Sequence, residues 1–271
     1  MTGASVEGWQ VEFLDLESLK IYQVSDGIGD KYTPQYSVTR DQIVARDSRG
    51  KIVSYSSGGG KEFLVTVPHC SDFSILPESG NSLLTRLVSG NTQRQQVWEA
   101  KAPFPTEELR RVTAIASGTL RQPHTSKGNV LISYTSRQRE EQIVLLKKTD
   151  QQFISQFEPL SPEFTFSAYP TWLSQEDWMC SHQVSDQNYD LYQQKGGEFI
   201  PLLETEEYSE FASTYNPETN TVYYERVSKN GKWSLAGYDL ENSVITSFQY
   251  ENEAKSPFFV NLPEHWFDES N

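Results

Sequence analysis

Trp233-Ser-Leu-Ala-Gly-Tyr-Asp-Leu-Glu-Asn242 repeats, in register, a stretch from the other end of the chain, Trp9-Gln-Val-Glu-Phe-Leu-Asp-Leu-Glu-Ser18. Trp9 matches Trp233, Val11 matches Leu235, and Asp15-Leu16-Glu17 matches Asp239-Leu240-Glu241. Both copies alternate apolar and polar residues, as a half-buried strand does, and both end in a polar turn. A strand and turn spelled twice at opposite ends of a chain predict a repeat fold that closes on itself.

A second repeat runs between those ends. Tyr32-Thr-Pro-Gln-Tyr-Ser-Val-Thr-Arg-Asp-Gln-Ile-Val44 sets the pattern of Pro, aromatic, small polar residue, turn and apolar strand. It returns at Tyr169–Met179 and Phe211–Tyr223, with weaker copies at Ser71–Gly80, Gln122–Val130 and Ser256–Val260. The aligned positions are Tyr36, Phe73, Thr125, Trp172, Tyr215 and Phe259, spaced by 37, 52, 47, 43 and 44 residues. One propeller blade takes roughly 40–50 residues.

The intervals hold the strands a blade needs. Thr221–Val227, Trp233–Asp239 and Ser243–Gln249 follow Tyr215, while Trp178–Gln183, Tyr189–Gln193 and Glu198–Leu203 follow Trp172. Ile43–Arg46, Ile52–Tyr55 and Glu62–Val67 follow Tyr36. Gly, Asn and Asp punctuate them, as tight hairpins with positive φ require. Pro105–Val112 is the one stretch with a helical look; Leu109–Ala114 within this interval reads as the outer strand of blade two.

The prediction is an all-β, six-bladed propeller of four-stranded antiparallel blades, with residues 1–271 as one domain. Both termini should complete the last blade. Trp9–Leu14 and Leu19–Val24 would supply its third and fourth strands, Pro257–Asn261 the first, and the region of His265–Phe267 the second. Such closure pairs sheet edges that would otherwise be open.

Composition sets limits on partners. The formal charge of −14 argues against nucleic acid and against an anionic membrane surface. No apolar run approaches the ~20 residues of a membrane span, and Met1–Ser5 is too short and polar for a signal peptide. Hydrophobic residues are only 36% of the chain, but aromatic residues reach 13%, enough for large rings to build much of the core. A soluble monomeric domain is the expectation.

Tyr32-Thr-Pro-Gln-Tyr-Ser, Tyr169-Pro-Thr-Trp-Leu-Ser and Ala212-Ser-Thr-Tyr-Asn-Pro-Glu resemble the Pro-x-Trp-Ser-Pro-Asp-Gly signature of TolB-type, WD40-like propeller repeats. The chain departs from that pattern in two ways: the Asp-Gly is degraded in every copy, and only Phe211–Pro217 keeps the Pro that follows the aromatic. The resemblance is to a divergent member. It implies a six-bladed propeller used for protein contacts, as a scaffold or a sensory module. It also implies a periplasmic location if Met1 is not native, against a cytoplasmic one if it is. Related repeats serve as sensor domains of membrane-tethered regulators and as accessory domains of serine peptidases.

No catalytic, cofactor or metal motif is found. A serine hydrolase of the α/β class needs a Gly-x-Ser-x-Gly elbow and a separate domain, and neither is present. The histidines, His69, His124, His182 and His265, lack helical metal spacing. His69 and His124 fall near the inner strands of adjacent blades, where they would line the channel as polar filling or, on a sharper reading, as a small-molecule or metal sensor. Carboxylates such as Glu99 with Glu107, or Glu204 with Glu206 and Glu207, leave a carbohydrate-active channel as the alternative from another class. Asp15 and Asp239 read as turn caps. Cys70 and Cys180, in blades two and four, read as free, mostly buried thiols. Tyr32, Tyr169 and Phe211 open innermost strands at one channel mouth, where exposed aromatics anchor partners. The candidate binding residues are therefore Tyr32, His69, His124, Tyr169 and Phe211, for a protein or peptide partner.

Overall fold

The computed structural model describes residues 2–5, 8–25, 30–76, 79–87, 95–101, 109–113, 118–126, 129–136, 138, 140–149, 152–162, 166–248, 254–255 and 266. The chain opens with β1 (Thr2–Ser5), β2 (Gly8–Leu14) and β3 (Ile21–Gln23). Five blades then follow, each a run of four consecutive antiparallel strands. Blade one is β4 (Lys31–Ser37), β5 (Gln42–Asp47), β6 (Lys51–Tyr55) and β7 (Lys61–Thr66). Blade two is β8 (Cys70–Ile75), β9 (Ser82–Leu87), β10 (Gln95–Ala100) and β11 (Arg110–Arg111). Blade three is β12 (Thr119–Ser126), β13 (Asn129–Thr135), β14 (Glu141–Thr149) and β15 (Gln152–Pro159). Blade four is β16 (Ser167–Trp172), β17 (Trp178–Ser185), β18 (Asn188–Lys195) and β19 (Glu198–Leu203). Blade five is β20 (Tyr208–Asn216), β21 (Thr221–Ser228), β22 (Trp233–Asp239) and β23 (Val244–Phe248).

The sequence predicted six blades, and five are built from consecutive strands. The remaining four-stranded sheet is a composite of both ends, in the order β24-β1-β2-β3, with β24 at Ala254–Lys255. Here the division of labour differs from the expectation: the N-terminus supplies three strands and the C-terminus one. Thr2-Gly-Ala-Ser5 forms the strand the sequence reading missed; these four small residues carry no apolar alternation to betray a strand. Expected strands at Pro257–Asn261 and around His265–Phe267 lie outside the described residues, Trp266 excepted, as does Phe259. The helical alternative for Pro105–Val112 finds no support in its described part. Arg110 and Arg111 pair with Glu99 and Trp98 as the outer strand of blade two. Among the described residues no helix is long and apolar enough to cross a membrane.

The opening repeat occupies equivalent places. β2 and β22 are each the third strand of a sheet, and the matched Val11 and Leu235 are both buried. Each strand ends in a turn capped by its Asp. Asp15 accepts from the Glu17 amide (3.0 Å) and from the Ser18 hydroxyl, while Asp239 accepts from the amides of Glu241 (2.8 Å) and Asn242 (3.0 Å). These bonds hold both carboxyls below the usual carboxylate range.

Tyr36, Phe73, Thr125, Trp172 and Tyr215 all fall on first strands. Each first strand also breaks register just before that position, between Tyr32 and Gln35, Cys70 and Asp72, Arg121 and His124, Ala168 and Thr171, and Phe211 and Thr214. A bulged strand leaves residues unpaired, and a proline, lacking an N–H, fits there. Pro34, Pro123 and Pro170 occupy three of these bulges and are buried. The residue before each one, Thr33, Gln122 or Tyr169, has a positive φ of 48°, 52° or 56°. The signature that identified the repeat is therefore the chemistry of a conserved-position bulge within this one chain.

The core is divided among blade seams. Between blades one and two, Val44, Ile52 and Val65 pack on Phe73, Ile75 and Leu84. Between blades three and four, Leu131 and Ile143 pack on Trp172, Trp178 and Cys180. Gly50 turns the β5–β6 hairpin at φ +77°, and a Cβ there would lie 2.3 Å from the Val67 carbonyl oxygen. Gly50→Ala is expected to destabilise the fold by about 1–3 kcal/mol, read as a lowered urea midpoint with unchanged slope.

Candidate functional site

First strands of a propeller line its channel and start at a common mouth. Tyr32, Arg121, Tyr169 and Phe211 sit near the starts of β4, β12, β16 and β20, and His69 directly precedes β8. The bulges at these starts also tie the blades together. The Gln122 amide donates to Asp72 Oδ2 (3.4 Å), and the Tyr169 amide donates to Gln122 Oε1 (3.1 Å). The Tyr169 ring then meets the Phe211 ring edge-on at 6.2 Å. Three successive seams, from blade two to blade five, are thus joined through one layer of residues.

Two of the five candidate residues meet directly. Phe211 contacts Tyr169, Tyr189 (5.0 Å between centroids) and Trp233 (5.8 Å), giving a four-ring cluster. All four residues are half-buried. The surroundings of Tyr169 are acidic. Burial first, and then the charges of Glu225, Asp72 and Glu141, push its phenol far above the usual range, with Arg121 opposing. Burial also raises the Glu141 carboxyl. Nothing in local sequence announces these three acids, because they come from blades two, three and five.

The other three candidates take separate places. Tyr32 lies under the Arg46 guanidinium, 5.1 Å from its ring centroid, and burial together with Asp30 raises its phenol. His69 is exposed, with a positive φ of 62°. His124 is turned into the seam with blade four. Its Nδ1 accepts from the Trp172 amide (3.4 Å), and its carbonyl oxygen accepts from Trp172 Nε1 (3.1 Å). Burial holds this imidazole down at about 4. A His whose folded pKa is depressed takes up its proton more readily when unfolded, so its contribution is complete above about 6.5 and is lost as pH falls toward 4. An imidazole NMR titration is expected to find His124 neutral down to about pH 5; protonation near 6.5 would contradict the enclosed geometry.

Two arrangements that suggest chemistry do not assemble. Ser167, His182 and Asp190 stand in one row across blade four, and Ser167 Oγ lies 2.9 Å from His182 Nδ1. The imidazole, however, is turned onto Tyr192 and Phe199, at 4.6 Å and 5.2 Å, and Ser167 is fully buried. A nucleophile must reach substrate while its base is oriented by the acid, and this row does neither. Among the described residues no three His, Cys, Asp or Glu side chains converge as a metal site would require. Cys70 and Cys180 are free and buried, and burial pushes both thiols well above their ordinary value.

Five blades of four antiparallel strands around a common layer of inner-strand residues define a β-propeller. No protein-family model matches the chain. No curated protein matches it in sequence. Its fold is that of TolB β-propellers. A putative TolB from Agrobacterium tumefaciens has a TM-score of 0.74 at 10% identity over 89% of this chain and 88% of that one. TolB from Acinetobacter baumannii has a TM-score of 0.74 at 17% identity over 92% of this chain and 62% of that one. Two enzymes share the fold as well. A puromycin-hydrolyzing peptidase from Mycobacterium tuberculosis has a TM-score of 0.64 at 12% identity, over 93% of this chain and 44% of that one. An oligogalacturonate lyase from Vibrio parahaemolyticus has a TM-score of 0.61 at 9% identity, over 91% of this chain and 72% of that one. At these identities the likeness is one of fold.

Proposed function

We propose that this chain is a binding propeller that takes a protein or peptide partner at the mouth built around Tyr169 and Phe211. The observation that carries the reading is the four-ring cluster with three carboxylates acting on one of its phenols. Half-buried aromatic rings are the usual anchors of an interface. Carboxylates beside them favour a partner segment carrying Lys or Arg, through charge and through the ring faces.

Random-sequence peptides displayed on phage and panned against the protein test this. The wild-type chain should enrich sequences rich in Lys or Arg, and a Phe211→Ala chain should fail to retain them. Equal enrichment by the two proteins would place any binding elsewhere.

A second reading rests on the same acids. The charges of Glu225, Asp72 and Glu141 act on Tyr169, and Trp233 packs on its neighbour Phe211, so acids and a Trp serve one site as a carbohydrate-active funnel would require. Their negative field disfavours a polyuronate, so neutral glycans are the substrates to try. Release of reducing ends by wild-type protein, abolished in Glu225→Gln, would carry that reading over the first.

A further inference from the structure

Behind the mouth, on the seam of blades four and five, two carboxyls meet out of contact with water. Asp190 on β18 is 4% exposed and Glu210 on β20 is 0% exposed. Their sequence neighbours are the mouth residues Tyr189 and Phe211, whose rings stand 5.0 Å apart. The aromatic pair and the acid pair therefore link the same two strands, β18 and β20, at adjacent positions.

The donors around this pair are few. Thr205 Oγ1 donates to Glu210 Oε1 (2.5 Å). Asn188 Nδ2 (3.2 Å) and the Thr205 amide (3.5 Å) donate to Asp190 Oδ1. Among the described residues no donor reaches Glu210 Oε2, and both carboxyls converge on Thr205, Glu210 on its hydroxyl and Asp190 on its amide. Two ionised carboxylates in contact cannot both persist in a buried site, and a buried lone pair left without a donor is costly. A single proton between them satisfies both demands.

The remaining charges leave the pair to itself. Arg226 on β21 is directly across from Glu210, yet its guanidinium is engaged by Ser234 (3.3 Å), Ser247 (2.8 Å) and the Tyr208 ring (4.2 Å). Its charge favours an ionised Glu210 only partly. Glu204, before β20, adds negative charge beside Asp190. Tyr224 on β21 is the nearby phenol. From β16 and β17, which also pack on β20, the titratable groups are Tyr169, Cys180 and His182, the last turned onto Tyr192 and Phe199.

We propose that Asp190 and Glu210 hold one proton between them and form a proton-dependent clasp across the seam of blades four and five, fixing Tyr189 against Phe211. Burial, chiefly, and the Asp190 charge push the Glu210 carboxyl up to about 8. An acid whose folded pKa is raised binds more protons folded than unfolded. Its stabilisation is complete below about 4.5, declines as pH rises, and is gone above about 8. His124 and His182, both held down by burial, act in the opposite sense mainly below about 6.5, and because both remain in Glu210→Gln the comparison of the two proteins isolates the clasp.

Chemical unfolding of the whole chain at pH 6.5 and 8 tests the proposal without a ligand, and so independently of what the mouth binds. Relative to Glu210→Gln, the folding equilibrium constant of the wild type should fall by roughly fifteenfold over the window, near tenfold per pH unit at its start and more gently close to 8. Glu210→Gln, whose amide donates at every pH, should show no such slope. An equal slope in both proteins would overturn the clasp. If Glu210→Gln does not fold, carboxyl-carbon NMR of the wild type decides: one group of the pair titrating near 8 supports the clasp, and both titrating below 6 refutes it.

Discussion

Trp266→Ala is expected to destabilise the protein by about 3–5 kcal/mol, the range for truncating a large buried aromatic. The indole is 6% exposed and packs on Val11 from the composite sheet and on Ile43, Ala45, Val53 and Tyr55 from blade one. Its Nε1 donates to Asp41 Oδ1 (3.0 Å), which also accepts from the Tyr36 hydroxyl (2.6 Å). Burial and that Asp41 bond push the Tyr36 phenol far above its usual range, so both donors stay in place at any working pH. One C-terminal side chain thus joins the composite sheet to the first blade. Beyond the lost stability, the variant should release β24, seen as faster amide exchange at Thr2 and Gly3, the partners of Lys255 and Ala254. Trp266→Phe keeps most of the ring and loses the indole donor, and should cost about 1 kcal/mol. A variant as stable as the wild type would mean that the ends do not hold the ring.

Trp178→Ala should lose a similar amount for a different reason. Trp178 is 2% exposed and stands opposite Trp172 in blade four, packed on Leu131 and Ile143 of blade three. Its removal opens a cavity at a seam whose strands are otherwise intact, for about 3–5 kcal/mol. The amides of Thr2 and Gly3 should keep their relative protection, because the closure contacts lie at another seam. That contrast separates the loss of a lock from the loss of packing. Accelerated exchange at Thr2 and Gly3 in both variants would show that the ring opens as a whole.

How much of this was legible in the sequence depended on how local the physics was. Trp233–Asp239 and Glu198–Leu203 were read to the residue, because alternation and flanking turns are written in adjacent positions. The Pro-aromatic signature was legible for the same reason, since a bulge imposes its chemistry on three or four neighbours. Thr2–Ser5 and Ala254–Lys255 were not, because strands this short become strands only by pairing with each other across the whole chain. Tyr169 and Phe211 could be nominated as mouth residues from their repeat position. His124 stands on equal grounds in the repeat, but beside a bulge its ring meets the Trp172 amide. The acid cluster and the Asp190–Glu210 pair left no local mark. Glu210 is the nearest to one, a carboxylate within a first strand where the pleat calls for a buried residue.

The claim that the mouth is the binding surface is tested most directly by calorimetry, using the Lys- or Arg-bearing peptides that the wild-type chain selects. Phe211 at the centre of the cluster is predicted to be a hot spot, so Phe211→Ala should weaken binding by roughly thirtyfold or more at unchanged fold. Raising the salt concentration should weaken the wild-type complex as well, through its carboxylates. Equal affinity of wild type and Phe211→Ala, with no salt dependence, would contradict the account.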